Sequence, residues 1–450
     1  VILLKDCFYV ATLDHGQILR NSDILIEDGK ISRMGKSIDE PDAQSIDCSD
    51  CVVVPGFVNT HHHFYQTLTR NLPMVQNAKL FDWLRYLYEI WKNIDEQAVD
   101  VSTLVAVGEL LKTGCTCTTD HHYLYPRSLE GDLMGIQFEA AGKLGIRFSP
   151  CRGSMSLGKK DGGLPPDTVV QTEEEILKDS QRVIEDYHDS SELTMRKVIL
   201  APCSPFSVTK DLMIETAKLA RQYGVRLHTH LAETIDENDY CMSKLSKRPL
   251  AVMEEWGFIG EDVSYAHGVH FNDEELESLR QTDTSIAHCP SSNMRLGSGI
   301  ARVKEMLERG INVALAVDGS ASNDTSDFLG EMRNALLLQR VRYGPDALTA
   351  EEVFQIATEN GARLLGFARI AKIKPGWAAD IAIFNINKLQ YAGSLSDPLA
   401  ALVFAGIDHQ TDYTIVNGRI VVEGGRLTGC DEEILTQEAN RIARGLMKTL

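Results

Sequence analysis

Gly310-Ile311-Asn312-Val313-Ala314-Leu315-Ala316-Val317-Asp318-Gly319-Ser320 reads as a buried strand capped by an acid. From Ile311 to Val317 nearly every position is apolar, and the run stops at an acid followed by small residues. A strand of that kind is buried on both faces, which is the signature of a parallel sheet wrapped by helices. The preceding Val303 to Arg309 has helical spacing, and Gly310 sits where a left-handed residue ends a helix. Working outward, the same cadence recurs. Apolar, β-branched runs read as strands at Cys51 to His63, Thr116 to His122, Ile146 to Arg152, Val198 to Ser204, Val225 to Glu233, Val263 to His270, Thr284 to Asn293 and Ile311 to Ser320. Between them lie amphipathic stretches such as Asp100 to Thr113, Leu133 to Leu144, Glu173 to Tyr187, Asp211 to Tyr223 and Asp273 to Gln281. Eight such strands alternating with helices predict an α/β chain built on a closed (β/α)8 barrel of the TIM type. An open doubly wound sheet is the alternative, but the Gly-rich phosphate turn it uses is missing after the first strand.

The two ends of the chain read differently. Ile24 to Met34 is strand, Asp28-Gly29, strand, and Thr414 to Val422 is strand, Asn417-Gly418, strand. Both dipeptides favour two-residue hairpins, because each supplies residues that accept positive φ. Ala379 to Phe384 adds a short strand after Pro375-Gly376. Residues 1–54 and 375–450 are therefore expected to meet as one small β-sandwich domain beside a barrel of residues 55–374, with Asp431 to Leu450 as a closing helix.

The chain has 450 residues, with 45 Lys and Arg against 64 Asp and Glu, a formal net charge of −19. That balance leaves no basic stripe to replace the counterions of a nucleic acid, so none is expected as a partner. No apolar run reaches the ~18 residues of a membrane helix. The opening Val1 to Val10 carries Lys5 and Asp6, which is wrong for a signal-peptide core. Numbering starts at Val1 rather than Met, which leaves a lost leader open. Ten cysteines without zinc-ribbon spacing read as free thiols of a reducing compartment, so a cytoplasmic enzyme is expected.

In a TIM barrel the C-terminal ends of the strands carry the active site. Here those ends bear His61-His62-His63, His230 with Glu233 three residues on, His267, and Asp318. Side chains alternate along a strand, so His61 and His63 share a face that His62 does not. The same alternation puts His228 beside His230, but below the rim. Three neutral imidazoles and a carboxylate suit zinc, with ferrous iron a second possibility for the same ligands. A bound metal makes its water acidic enough to react near neutral pH, and Glu233 is placed to move protons.

Pro55-Gly56-Phe57-Val58-Asn59-Thr60-His61-His62-His63, His228-Thr229-His230-Leu231-Ala232-Glu233, Ala266-His267, His288-Cys289-Pro290-Ser291-Ser292-Asn293 and Val317-Asp318-Gly319-Ser320-Ala321-Ser322-Asn323 resemble the metal-dependent amidohydrolase superfamily, in its cytosine and guanine deaminase branch. The resemblance covers nearly the whole chain. It implies a single divalent metal, zinc before iron, on His61, His63, His230 and Asp318. It also implies catalysis by Glu233, His267 and Asp318 in the hydrolytic deamination of an amidine-like carbon in an aromatic ring. Relatives with two metals carry a lysine at the end of the fourth strand. Here that end is Ala201-Pro202-Cys203-Ser204-Pro205, and Lys197 lies at the strand's start.

The loops Cys151 to Gly158, Asp161 to Pro166, His121-His122-Tyr123 and Gly319 to Asp324 are similar to those of deaminases of oxo-purines such as 8-oxoguanine. Isoxanthopterin deaminases and s-triazine aminohydrolases are neighbouring types. The implied partner is a small purine- or pterin-like heterocycle, and the implied assembly a homo-oligomer. Expected substrate contacts are Gln66 on the base edge, Trp83 as a wall for a flat ring, His267, and Arg152 on a ring carbonyl. The alternatives are a loop-capping amide for Gln66, a core residue for Trp83 and an ion pair between elements for Arg152. His121 and His122 are expected to support the site.

Overall fold

The computed structural model describes residues 1–405 and 409–448. Eight parallel strands form a barrel: β1 (Phe57–Asn59), β2 (Cys115–Thr118, resumed at His121–His122), β3 (Arg147–Phe148, resumed at Cys151–Ser154), β4 (Ile199–Pro202), β5 (Arg226–Leu231), β6 (Val263–His267), β7 (Ser285–His288) and β8 (Val313–Leu315). Each pairs in parallel with the next. The ring closes where Thr60 N donates to Leu315 O at 3.2 Å and Asp318 N donates to His61 O at 3.1 Å. That closure sets Asp318 beside His61, although 257 positions separate them in the chain (318 − 61). Helices including Leu133–Leu144, Glu173–Tyr187, Lys210–Tyr223 and Asp273–Thr282 alternate with the strands. Residues such as Leu212, Leu276 and Met306 seal the helices onto the barrel and are wholly buried.

The run Cys51 to His63, expected as one barrel strand, is two. Cys51–Pro55 pairs antiparallel with Ile381–Asn385 in an outer sheet, and only Phe57–Asn59 enters the barrel. The switch occurs between adjacent amides: Gly56 N donates to Asp380 O and Phe57 N to Gly114 O, both at 2.9 Å. Residue 56 must be glycine because a Cβ there would lie 2.1 Å from Thr116 Oγ1. Both halves of the run are buried on both faces, so hydrophobic pattern alone could not divide it.

The outer layer joins the ends of the chain. One sheet holds Ile2–Cys7, Ser22–Glu27, Lys30–Gly35 and Gln44–Asp47; the other holds Tyr9–Ala11, Cys51–Pro55, Ile381–Asn385, Tyr413–Val416 and Arg419–Glu423 among its strands. Leu4, Ile24, Val53, Ile381 and Ile383 fill the space between them. Asp28 and Gly29 have φ of 48° and 77°, Asn417 and Gly418 of 47° and 76°, so both hairpins turn with two left-handed residues. Helix Glu432–Met447 closes the chain against Glu96–Lys112, helped by a 2.6 Å Lys112–Glu432 ion pair. Residues 449 and 450 of that expected helix lie outside the described residues. Among the described residues, no helix is long and apolar enough to cross a membrane.

Candidate active site

The C-terminal ends of β1, β5 and β8 converge on one point. His61 Nε2 and His63 Nε2 each lie 3.4 Å from Asp318 Oδ1, and His63 Nε2 lies 3.2 Å from His230 Nε2. Ligand atoms in a tetrahedral zinc shell are about 3.4 Å apart, which is this spacing. His61 Nε2 is buried with no hydrogen-bond partner. Two facing imidazole nitrogens and an orphaned third are costly unless a cation sits between them. The donor set and its spacing therefore fit one divalent metal. His62 turns the other way, toward Ser326 Oγ at 2.9 Å, as strand alternation requires. His121 also brings a ring nitrogen into the group formed by His61, His63 and His230. It stacks on His230 with ring centroids 4.8 Å apart and donates from Nε2 to Ala201 O at 2.9 Å.

Each ligand imidazole is oriented from behind. His63 Nδ1 donates to His121 O at 2.9 Å and His230 Nδ1 to Cys203 O at 2.7 Å, which leaves Nε2 as the free lone pair on both. His61 Nδ1 meets a different partner, His228 Nε2, at 2.8 Å. Burial holds His61, His63 and His230 below the usual imidazole range, so all three are neutral and able to bind a cation.

Glu233 and His267 flank these side chains. His267 Nδ1 donates to Asn293 Oδ1 at 3.0 Å, and its Nε2 lies 3.6 Å from Glu233 Oε2 and 3.8 Å from Asp318 Oδ2. Against its burial, those two carboxylates hold His267 above its ordinary value. Burial pushes Glu233 up to about 7. Asp318 is also buried, but the adjoining His61 ring and the charge of His267 keep it well below the carboxylate range. Two carboxyls of one cavity are thus driven in opposite directions, an arrangement that can separate an acid from a base. Ala232, His267 and Asp318 all have positive φ, 55°, 74° and 63°. Such strain in non-glycine residues collects at functional sites, and here it turns the strand ends inward.

The cavity over these groups is lined by Gln66, Trp83, Tyr88, Tyr123, Phe206, Leu296 and Ser322, with His63, His230, Glu233, His267 and Asp318 at its base. Aromatic walls with a few polar groups suit a flat heterocycle. Gln66 packs so closely on the Asp318 loop that a Cβ on Gly319 would lie 2.0 Å from its Oε1. That oxygen accepts from Ala321 N at 3.3 Å, so Nε2 is the atom left to donate to a ligand. Trp83 packs edge-on against Trp91 and also lines the cavity, where its Nε1 has no partner.

Arg152 does not reach the cavity. Its guanidinium is bound to Asp179 Oδ2 at 2.7 Å, Gln171 Oε1 at 2.9 Å and Gly153 O at 2.5 Å, and lies 3.9 Å over the Tyr125 ring. The expected contact with a ring carbonyl is replaced by the ion pair, because the strand end turns this side chain toward helix Glu173–Tyr187. Arg152→Met is therefore expected to leave KM within about 2-fold. It should cost about 1–3 kcal/mol of stability, less than the ~3–5 kcal/mol of breaking a fully buried pair because Asp179 is partly exposed. Urea unfolding and steady-state kinetics check both halves.

Three supporting residues escaped the sequence reading. Asn293 fixes His267, and Glu237 Oε2 accepts from Glu233 N at 2.9 Å. Glu237 lies in the first turn of helix Ile235–Leu245, four residues after Glu233, which precedes that helix. The third, His228, shares a strand face with His230, but its partner lies across the barrel. Lys197 stands at the far end of the barrel, its Nζ 5.3 Å from the Phe367 ring, remote from the ligands.

The model of the Amidohydrolase family matches residues 52–421. An 8-oxoguanine deaminase of Pseudomonas aeruginosa is 45% identical over 94% of this chain and 94% of its own. An isoxanthopterin deaminase from an unknown prokaryotic organism is 35% identical over 97% of this chain and 94% of its own. The crystal structure of an atrazine chlorohydrolase from Arthrobacter aurescens TC1 complexed with zinc superposes with a TM-score of 0.93 at 29% identity, covering 98% of this chain and 100% of that one.

Proposed function

The chain belongs to the amidohydrolase family, and from that premise we propose that it deaminates an oxo-substituted purine, with 8-oxoguanine converted to urate and ammonia. It is a metal-dependent hydrolase acting on C–N bonds. The observation that carries the substrate reading is the 45% identity over nearly the full length to an 8-oxoguanine deaminase, joined to an aromatic-walled cavity.

We assign the metal to His61, His63, His230 and Asp318. When bound there, a divalent ion such as zinc supplies a water acidic enough to be nucleophilic near neutral pH. The remaining work falls to the protein. Glu233, in its protonated form, gives its proton to the ring nitrogen next to the amino-bearing carbon, which makes that carbon electrophilic. Asp318 takes the proton that the attacking water loses. His267, 3.8 Å from Asp318 and 3.6 Å from Glu233, stands between them as the route by which Glu233 regains a proton. Glu233 then protonates the amino group as ammonia leaves, and the second proton of the former water, released as the ring carbonyl forms, passes by the same Asp318 and His267 route to Glu233 and restores its starting state. Gln66 Nε2 donates to a ring carbonyl, and Trp83 walls the ring.

Free thiols throughout the described residues support a reducing, cytoplasmic setting. The neighbouring exposed side chains Leu337, Val341 and Phe404, on helices that pack together, support a homo-oligomer.

Ammonia release from a panel of 8-oxoguanine, guanine, isoxanthopterin and a hydroxylated s-triazine tests the substrate. The expected result is the highest kcat/KM for 8-oxoguanine, with one urate formed per ammonia. A higher kcat/KM for isoxanthopterin or the triazine overturns it.

A further inference from the structure

His61 is held differently from the other two imidazoles of the metal shell. A backbone carbonyl orients His63 and another orients His230, whereas His61 Nδ1 faces His228 Nε2 at 2.8 Å. His228 Nδ1 in turn lies 2.8 Å from Ser264 Oγ, which is 3.3 Å from Leu227 O. His61 is fully buried, and His228 and Ser264 are 1% and 4% exposed. His228 and Ser264 are register partners on β5 and β6, while His61 follows β1 on the opposite side of the ring. The chain of contacts therefore crosses the barrel interior one layer below the rim.

Only one arrangement of hydrogens serves a metal. If His61 Nε2 is to offer a lone pair, its proton must be on Nδ1, so His228 Nε2 must accept. His228 then carries its proton on Nδ1 and donates it to Ser264 Oγ, and the serine hydroxyl donates to Leu227 O. The direction of every bond follows from its neighbour, and the last acceptor is a backbone carbonyl that cannot reverse.

We propose that His228 and Ser264 form a cross-barrel relay that fixes the tautomer and orientation of His61, making them positioning residues for the metal. They touch neither substrate nor reacting atoms, and they replace the single carbonyl used by the other two ligands. The inference rests on the assignment of His61 as a ligand, made above.

The test is the zinc dissociation constant of the folded apo-protein, measured by competition with a chromophoric chelator, with no substrate present. His228→Leu removes the acceptor while keeping similar bulk. His228→Gln presents an amide oxygen near the position of Nε2, so it can still accept from His61. The relay predicts that His228→Leu weakens zinc binding by about 100-fold, Ser264→Ala by about 10-fold, and His228→Gln by much less than the leucine variant. Equal weakening by leucine and glutamine would reduce His228 to packing and overturn the proposal, as would unchanged affinity in His228→Leu. Should the leucine chain fail to fold, Ser264→Ala decides alone, since it deletes one oxygen: unchanged affinity there also overturns the relay. His61→Ala separates the premise from the inference. Unaltered zinc binding in that variant refutes the ligand assignment itself, whereas its loss together with a normal Ser264→Ala refutes only the relay.

Discussion

Glu233→Gln is expected to lower kcat on an oxo-purine by about 10³-fold, the scale of a lost acid–base group, while zinc content and KM stay within about 2-fold. The amide fills the same space beside His267 but cannot give up a proton to the ring and recover one for the leaving group. Burial gives the wild-type group its usefulness, because a carboxyl pushed up to about 7 still carries its proton near neutrality. The sign of the pH dependence follows. The protonated form dominates below that value and is lost as pH rises through it, so kcat/KM should fall on the alkaline side of about pH 7. Steady-state rates from pH 5 to 9, on a substrate that does not titrate in that window, check it. A Glu233→Gln protein with near-normal turnover would assign the proton transfers elsewhere.

Asp318→Asn should be more damaging, about 10⁴-fold in kcat, because two roles are proposed for this side chain. Its Oδ1 completes the ligand spacing with His61 and His63, and its Oδ2 faces His267. A neutral amide removes one negative charge from the shell and the base that receives the proton from water. The substitution spares the fold, since asparagine tolerates the left-handed backbone of φ 63° found there. Chelator competition should show weaker zinc binding, by about 10-fold or more, and excess zinc should restore occupancy without restoring the rate.

Much of this was legible in the residues, and the reasons are specific. The barrel could be read because strands such as Ile311 to Val317 are apolar on both faces. The convergence of His61, His63, His230, His267 and Asp318 could be read because each stands at the polar end of such a run, and strand alternation separates His62 from its neighbours. What could not be read depends on contacts between distant segments. Gly56 divides the first run because Thr116 crowds it, a fact of packing rather than of pattern. Arg152 was ambiguous because an arginine after a strand serves an ion pair as well as a ligand, and only the position of Asp179 decides. His228 was visible on the correct face, yet its partner follows the strand opposite and becomes apparent only once β1 to β8 close into a ring.

The proposed chemistry needs one metal serving one proton-shuttling pocket. The most direct measurement of that claim is ammonia release from 8-oxoguanine by metal-depleted protein titrated with zinc. The expected trace is no activity without metal, a linear rise, and a plateau at one zinc per chain. Full activity in the depleted protein, or a rise that continues to two zinc ions per chain, would contradict it.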